Sequence, residues 1–162
     1  MKIAIVNTGR FGDIIQSAPL IFGLKEKFPN CKIFYICLEN FRPAAELIPE
    51  IDFIVPFSFH KILKQIDNNN LKESFNLLKN IFSNLKEKFD ILINLSFSNL
   101  SAVISGILNA KDKKGLILSE NNELIIPDNW SKFFLSIVDY REYCPFNIVD
   151  IFSKIGGVSS KK

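Results

Sequence analysis

The sequence predicts an α/β fold built on a doubly wound, mainly parallel sheet. Short apolar runs rich in branched residues, of which Ile3-Ala4-Ile5-Val6 is the first, are typical of strands buried on both faces. Helical patterns alternate with these runs along the chain, and this order favours parallel strands joined by crossover helices. The first run leads through a glycine-containing turn, residues 7–13, into a helical pattern. Open α/β sheets place their chemistry at such strand-to-helix turns.

Composition limits the function classes to be considered. The chain has 162 residues, is 48% hydrophobic and contains 16 Phe, which is typical of one globular domain with a sizeable core. Its net charge of +3 is small for a nucleic-acid-binding surface. No apolar run approaches the roughly 18 residues of a membrane span, and the N-terminal run is too short for a signal peptide. We therefore expect a cytoplasmic protein that does not bind nucleic acid.

The cysteine and histidine content argues against a metal site. Cys31, Cys37 and Cys144 show no C-x-x-C spacing, and His60 is the single histidine. We expect three free thiols, and we expect His60 to lie in a loop or at a helix start without acting as a catalytic base. No metal ligand set is predicted, and the roles of these four residues stay open.

Five strands are predicted from the apolar runs. The third is expected to stop at Pro56, because proline cannot donate a hydrogen bond to a neighbouring strand. Gly115 lies inside the fifth and suggests a bulge or a close backbone approach. The predicted strands are residues 3–6, 32–38, 53–55, 90–95 and 113–118, with a short extended segment at 124–126.

Helices are predicted where apolar residues recur at intervals of three and four. In the first, over residues 14–28, Pro19 is expected to offset the first turn from the remainder. The cleanest apolar stripe runs over residues 71–89. The other predicted helices are 42–47, 60–66, 100–108 with Ser98 or Asn99 as its cap, 130–138, and 146–155 closed by Gly156-Gly157.

Two loops are expected to meet beyond the carboxyl ends of the strands, namely Thr8 to Asp13 and Ser96 to Ser101. The first contains Gly9-x-x-Gly12, which is not the G-x-G-x-x-G fingerprint of dinucleotide-binding folds. Glu39 follows the second strand and is the one acid placed to bind a ribose. A P-loop motif is absent. The loops therefore indicate a crevice but no nucleotide cofactor.

Asp13 permits two interpretations, and spacing alone slightly favours the first. In one, its carboxylate stabilises the positive end of the helix, by about 0.3–1 kcal/mol. In the other, it is a general base that takes a proton from a substrate hydroxyl in the crevice. Arg10 is equally ambiguous, because it can be a solvated loop residue or can bind a phosphate or carboxylate of the substrate.

The chain resembles the N-terminal domain of the ADP-heptose:lipopolysaccharide heptosyltransferases, glycosyltransferase family 9. The resemblance covers the whole chain and rests on the order and spacing of short motifs, each weak alone. These motifs are the Met1-Lys2-Ile3 start, Phe11-Gly12-Asp13, Pro19, Leu24-Lys25, Phe28-Pro29, Pro49-x-Ile51-Asp52, Phe89 to Leu95, Ser101-Ala102, Lys113-Lys114-Gly115 and Val149-Asp150.

The resemblance implies one Rossmann-like half of a two-domain GT-B fold. In the family, this half binds the acceptor, and a C-terminal domain binds an ADP-sugar. Transfer inverts the anomeric centre without a metal or other cofactor. The family's general base corresponds to Asp13. Acceptor contacts are expected from the two crevice loops, at Thr8, Gly9, Arg10, Gly12, Ser96, Ser98 and Asn99.

The resemblance therefore predicts an acceptor-binding domain over residues 1–157, with 158–162 as a tail or the start of an interdomain linker. The expected acceptor is a lipopolysaccharide core or another glycan, and peripheral contact with the inner membrane is allowed. The chain has no counterpart of the donor-binding domain, so we expect it to be inactive alone. Where family members often carry Arg, this sequence has Leu100. The alternative is a non-catalytic Rossmann-like module that binds a nucleotide or a protein.

Overall fold

A five-stranded sheet forms the centre of the molecule. The computed structural model describes residues 1–58, 78–82, 85 and 87–159. All four strand pairs of the sheet are parallel, in the order β3-β2-β1-β4-β5, and a short antiparallel pair, β6-β7, lies beside it. The strands are β1 Lys2–Asn7, β2 Lys32–Leu38, β3 Phe53–Phe57, β4 Phe89–Asn94, β5 Ala110–Lys114, β6 Ile117–Leu118 and β7 Leu124–Ile125.

Helices cover both faces of this sheet. Residues 78–82 are helical, in line with the predicted stripe, and the other helices have defined ends. The α-helices are α1 Phe11–Gln16, α2 Ala18–Lys27, α3 Arg42–Glu46, α4 Asn99–Ile107, α5 Asn129–Ser136 and α6 Ile148–Gly156, and 3-10 turns lie at Glu39–Phe41 and Val138–Tyr143. The prediction of a doubly wound α/β fold is confirmed.

Alternate residues of β1 belong to two separate apolar cores. Ile3 and Ile5 pack with residues of α1, α2 and α6, whereas Ala4 and Val6 pack with Phe82 and residues of α4. All four side chains are fully buried. This burial on both faces explains why the run is continuously apolar and does not alternate with polar residues.

The strand order creates a switch point next to β1. From β1 the chain proceeds outward to β2 and β3, and it then crosses back to β4 on the other side of β1. Two neighbouring strands whose connections leave in opposite directions open a crevice at their carboxyl ends. That crevice lies between Asn7, the last residue of β1, and Asn94, the last residue of β4.

The expected offset after the first helical turn is confirmed. The predicted single helix over residues 14–28 is two helices, α1 and α2, separated at Ser17. Pro19 lies in the first turn of α2, where the missing N–H has no intrahelical acceptor to lose.

Two predicted strand ends were wrong. Pro56 lies inside β3, opposite Cys37, since β3 is an edge strand and tolerates the missing donor. The predicted strand over 113–118 is divided at Gly115, which has φ +94° and lies against the Asn94 carbonyl, where a Cβ would be 2.1 Å from the oxygen. The close backbone approach suggested for Gly115 is thus confirmed.

The helical stripe over residues 71–89 ends earlier than predicted. Phe89 is the first residue of β4, and Leu85 lies outside a helix, although both side chains pack in the same apolar core as Phe82. The predicted helix over residues 60–66 lies outside the described residues. The remaining predicted helices are confirmed with shifts of a few residues, and Gly157 closes α6 in the left-handed conformation, with φ 71°.

Candidate functional site

A cavity of about 630 Å³ lies at the switch point of the sheet. Its polar end is formed by the turns that follow β1 and β4, and its apolar wall by α5, α6 and the segment between them. The lining residues are Asn7, Thr8, Gly9, Asp13, Leu95, Ser96, Phe97, Ser98, Phe134, Leu135, Ile137, Cys144, Phe146, Ile148, Ile151 and Phe152.

An asparagine turns the chain at the end of each central strand. The side-chain oxygen of Asn7 accepts a hydrogen bond from the Gly9 N–H, at 3.0 Å. Asn94 does the same for the Ser96 N–H, at 2.9 Å. Both asparagines are buried, so these turns are held by bonds that water cannot easily replace.

Ser96 joins the two turns. Its hydroxyl oxygen accepts a hydrogen bond of 2.8 Å from the backbone N–H of Thr8. On the other side, the Ser101 hydroxyl donates to the Ser96 carbonyl at 2.6 Å. Ser98 caps α4 by accepting from the Ser101 N–H, as predicted. The two loops predicted to meet at the crevice are therefore one connected structure.

A buried chain of hydrogen bonds stabilises the turn that follows β1. The Asn7 amide donates to the Tyr35 hydroxyl at 2.9 Å, and the Tyr35 hydroxyl lies 2.8 Å from Ser17 Oγ. Because Ser17 donates its proton to the Ile14 carbonyl, Tyr35 is the donor to Ser17. Burial raises the pKa of Tyr35 far above its usual range, in spite of its hydrogen bonds with Ser17 and Asn7. Tyr35 therefore stays neutral and acts as a structural support.

Asp13 lies at the edge of the cavity and is half-buried. It is the third residue of α1, and its Oδ2 accepts a hydrogen bond of 2.8 Å from the Arg10 N–H. Among the described residues, Oδ1 has no hydrogen-bond donor. Gly9 lies against this side chain, since a Cβ on Gly9 would be 2.7 Å from Asp13 Oδ2. One carboxylate oxygen thus holds the turn, and the residue also lines the cavity.

The predicted site residues separate into two groups. Thr8, Gly9, Asp13, Ser96 and Ser98 line the cavity. The other predicted contacts, Arg10, Gly12 and Asn99, do not line it, and all three are exposed.

Gly12 does not form the turn that presents Asp13. It is the second residue of α1 and does not have a positive φ, and a Cβ added there would have no neighbour within 4 Å. The glycine that the turn requires is Gly9. Glu39, the acid placed after β2, is exposed and does not line the cavity.

The apolar wall of the cavity was not predicted. Its aromatic part is a continuous set of edge-to-face contacts, with Phe97 and Phe134 at 5.1 Å and Phe134 and Phe152 at 6.4 Å between ring centroids. Phe97 lies between the predicted contacts Ser96 and Ser98, which was a signal for its position. The rest of the wall comes from more than 30 residues further along the chain, which sequence periodicity assigns to helices without showing where they pack.

The three cysteines are free, as predicted. Burial raises the pKa of Cys37 to about 11, and it also raises the pKa of Cys31. Cys144 lines the cavity, with its thiol donating to the Phe146 carbonyl at 3.1 Å. His60 lies outside the described residues. Among the residues that are described, no cluster of three metal-ligating side chains exists, and no helix is long and apolar enough to cross a membrane.

Solved glycosyltransferase structures have this fold. Escherichia coli heptosyltransferase WaaC with ADP-2-deoxy-2-fluoro heptose superposes with a TM-score of 0.71, over 100% of this chain and 50% of that one, at 14% identity. The chain has a heptosyltransferase-like fold. The glycosyl transferase family 9 structure from Veillonella parvula DSM 2008 gives a TM-score of 0.64 over 95% of this chain and 40% of that one, at 18% identity.

A curated sequence relative supports the same assignment. Lipopolysaccharide heptosyltransferase 3 of Escherichia coli is 28% identical over 102 residues, which are 63% of this chain and 28% of that protein. No family model matches the chain. The resemblance predicted from the motifs is confirmed, and this heptosyltransferase-like domain spans about half the length of the solved structures or less.

Proposed function

We propose that this heptosyltransferase-like domain is the acceptor-binding half of an inverting glycosyltransferase. It binds a lipopolysaccharide-type or other glycan acceptor, which receives heptose or a related sugar from an ADP-sugar. The donor is bound by a second domain, and neither a metal nor another cofactor takes part. The reaction takes place in the cytoplasm, and the protein can make peripheral contact with the inner face of the membrane when it binds this acceptor.

The observation that carries this proposal is the position of Asp13. It lies at the switch point of a domain with this fold and lines a cavity of about 630 Å³, and no described residue donates a hydrogen bond to its Oδ1. In the proposed reaction, Asp13 takes the proton of an acceptor hydroxyl while that oxygen bonds to the anomeric carbon of the sugar. The bond from this carbon to the diphosphate breaks at the same time, and ADP leaves with the electron pair.

The residues around Asp13 have separate roles in this proposal. Thr8, Ser96 and Ser98 offer hydroxyl and backbone groups to the acceptor at the polar end of the cavity. Asn99 and Gly12 lie next to that end on the first turns of α4 and α1. Arg10 is exposed beyond the cavity, so it can bind an anionic group, such as the donor diphosphate, that approaches from outside.

The test is a transfer assay in which this chain is joined to the part of WaaC that it does not cover in the superposition. ADP release from ADP-heptose is measured with a lipopolysaccharide-core acceptor. We expect turnover from the joined protein and none from this chain alone. Because general base catalysis contributes about 10²- to 10⁴-fold, Asp13→Asn should lower kcat at least about 100-fold.

The control is Asp112→Asn, which changes an exposed carboxylate on β5 and should leave kcat unchanged. Unfolding midpoints of both variants show whether a loss reflects misfolding. Normal turnover by Asp13→Asn would contradict the role of Asp13 as a base. Calorimetric binding of ADP by this chain alone would instead favour the alternative of a nucleotide-binding module.

A further inference from the structure

Asn7 lines the cavity, but its side chain has no group left for a ligand. The side-chain oxygen accepts hydrogen bonds from the Gly9 N–H at 3.0 Å and from Ser96 Oγ at 3.5 Å. The side-chain nitrogen donates to the Tyr35 hydroxyl at 2.9 Å and to the Asp13 carbonyl at 3.2 Å. A side-chain amide offers two acceptor sites and two donors, so these four bonds use all of them. Asn7 therefore acts on the cavity through the groups that it holds.

The partners of Asn7 require an amide at this position. Exchanging its oxygen and nitrogen would bring the NH₂ group against the Gly9 N–H and the oxygen against the Asp13 carbonyl, so like groups would meet at both ends. Aspartate has the same shape, but when ionised it has no donor for the Asp13 carbonyl. The two ends of the amide thus hold two different parts of the turn.

The Asp13 carbonyl needs a donor from outside its helix. The last four carbonyl groups of a helix have no intrahelical partner, and α1 has six residues. The Ser17 N–H, which would reach Asp13 in a longer helix, bonds to the Ile14 carbonyl at 3.0 Å. Asn7 supplies the donor for Asp13, and Ser17 Oγ, at the far end of the buried chain of hydrogen bonds, donates to Ile14 at 2.6 Å. One network therefore holds two successive carbonyls of α1.

Gly9 brings Asn7 into indirect contact with the Asp13 carboxylate. A Cβ on Gly9 would be 2.9 Å from Asn7 Oδ1 and 2.7 Å from Asp13 Oδ2, so both side chains lie against the same backbone atoms. The hydrogen bond from the Gly9 N–H to Asn7 fixes these atoms. Asn7 therefore acts on Asp13 twice, through a bond to its carbonyl and through the backbone against which its carboxylate packs.

Asn94 occupies the same position at the end of β4 and provides a comparison. It is as buried as Asn7, and its oxygen likewise accepts from a backbone N–H two residues further on, that of Ser96, at 2.9 Å. Its nitrogen donates to the Leu116 carbonyl at 2.6 Å and to the Ser101 hydroxyl at 3.1 Å. None of these three bonds reaches α1. The two asparagines share a role in their turns, and Asn7 alone of the two is bonded to Asp13.

We propose that Asn7 is a positioning residue for the general base, because it holds α1 and the preceding turn so that the Asp13 carboxylate keeps one orientation toward the acceptor hydroxyl. This inference rests on the proposed function for the chemistry of Asp13, whereas the placement of Asp13 by Asn7 is a property of this chain. Since a misplacement of about 1 Å can cost about 100-fold in rate, a residue that binds no ligand can still control kcat.

NMR of the full chain tests the placement without an assay of transfer. The three-bond couplings between Hα and the two Hβ protons of Asp13 report whether its side chain keeps one rotamer. We expect the couplings of one staggered rotamer in the natural sequence, averaged couplings in Asn7→Ala, and natural couplings in Asn94→Ala, which removes an equally buried amide. Averaged couplings in the natural sequence, unchanged couplings in Asn7→Ala, or equal averaging in Asn94→Ala would overturn the inference.

Kinetics of the protein joined to the WaaC part test the consequence for transfer. Asn7→Ala should lower kcat at least about tenfold and change KM by less than about threefold, because Asn7 offers no group to the acceptor. In an Asp13→Asn background, the same substitution should lower kcat by less than about twofold, since no base is left to be misplaced. A change in KM alone, or an equal loss of kcat in both backgrounds, would contradict a positioning role.

Tyr35→Phe replaces Asn7→Ala in both experiments if that variant does not fold. It removes one partner of the Asn7 amide and keeps the bond to Gly9, so it should give the same pattern, with a loss of kcat of at least about threefold. If Asp13→Asn retains transfer, or the joined protein is inactive, the proposed function fails and the couplings still decide the placement. If Asp13→Asn abolishes transfer while Asn7→Ala keeps kcat and the couplings, only this inference fails.

Discussion

The carboxylate of Asp13 accepts a hydrogen bond of 2.8 Å from the backbone N–H of Arg10, across the turn that opens α1. The same residue lines the cavity. The two interpretations of Asp13 are therefore compatible in one geometry, because the bond that stabilises the helix start also fixes the orientation of the carboxylate. The two roles differ in their response to Asp13→Asn. The amide oxygen can still accept the hydrogen bond from Arg10, but the amide cannot act as a general base.

Stability separates the structural role of Asp13 from its chemistry. Asp13→Ala removes the acceptor for the Arg10 N–H and should lower the free energy of unfolding by about 0.5–2 kcal/mol, the usual loss for a helix cap. Asp13→Asn keeps a side-chain oxygen and should lose less than half of that. Urea unfolding of both variants measures the difference. If Asp13→Ala is as stable as the natural sequence, the bond to Arg10 does not hold the turn.

The two glycines of the first loop should respond to alanine in opposite directions. A Cβ on Gly9 would lie 2.7 Å from Asp13 Oδ2 and 2.9 Å from Asn7 Oδ1, so Gly9→Ala forces the turn to shift and should cost about 1–3 kcal/mol. Gly12→Ala meets no atom within 4 Å inside a helix and should stabilise by up to about 1 kcal/mol. Chemical unfolding checks both, and a stabilising Gly9→Ala would contradict the tight contact.

Removing the Tyr35 hydroxyl should weaken the support of the first turn. Tyr35→Phe leaves the buried Asn7 amide and Ser17 oxygen each without one partner, which should cost about 1–3 kcal/mol. Tyr140→Phe is the matched control, since that ring is 62% exposed, and it should change stability by less than about 0.5 kcal/mol. Hydrogen exchange of the Gly9 amide, which Asn7 holds, should accelerate in Tyr35→Phe. Equal stability of the two variants would show that the buried hydroxyl of Tyr35 does not stabilise the fold.

The position of the site followed from sequence because one geometric rule determines it. The runs over residues 3–6 and 90–95 were predicted to be parallel strands, and the carboxyl ends of parallel strands lie at the same edge of a sheet. Thr8, Asp13 and Ser96 could therefore be assigned to a crevice before any contact was known.

The apolar half of the site followed no such rule. Phe134 and Phe152 lie on helices whose apolar stripes show that they pack, but not against which surface. Pro56 was misjudged for a similar reason, because its tolerance depends on β3 being an edge strand, and strand order is a property of the whole sheet. Local sequence patterns predicted the helices and strands. Which of these elements pack against each other depends on residues that are far apart in the sequence.

The last prediction concerns pH and the opposite end of the sheet. Asp52 Oδ2 accepts hydrogen bonds from Lys25 at 2.5 Å and from the Ile33 N–H at 2.8 Å, and Oδ1 accepts from Lys32 at 2.8 Å. Burial alone would raise the pKa of Asp52, but the hydrogen bonds from Lys25, Lys32 and Ile33 outweigh it and lower the pKa to about 2.

A carboxyl whose pKa is lower in the folded than in the unfolded chain stabilises the fold above its unfolded value, here 3.8. Because the unfolded chain binds more protons in this range, the stabilisation is lost as the pH falls from about 4 to about 2. Asp52→Asn should lower the free energy of unfolding at pH 7 and flatten its decrease between these two values, whereas Asp112→Asn on exposed β5 should leave the slope unchanged. Urea unfolding at several pH values gives the slopes, and an unchanged acid slope in Asp52→Asn would contradict the role of these bonds.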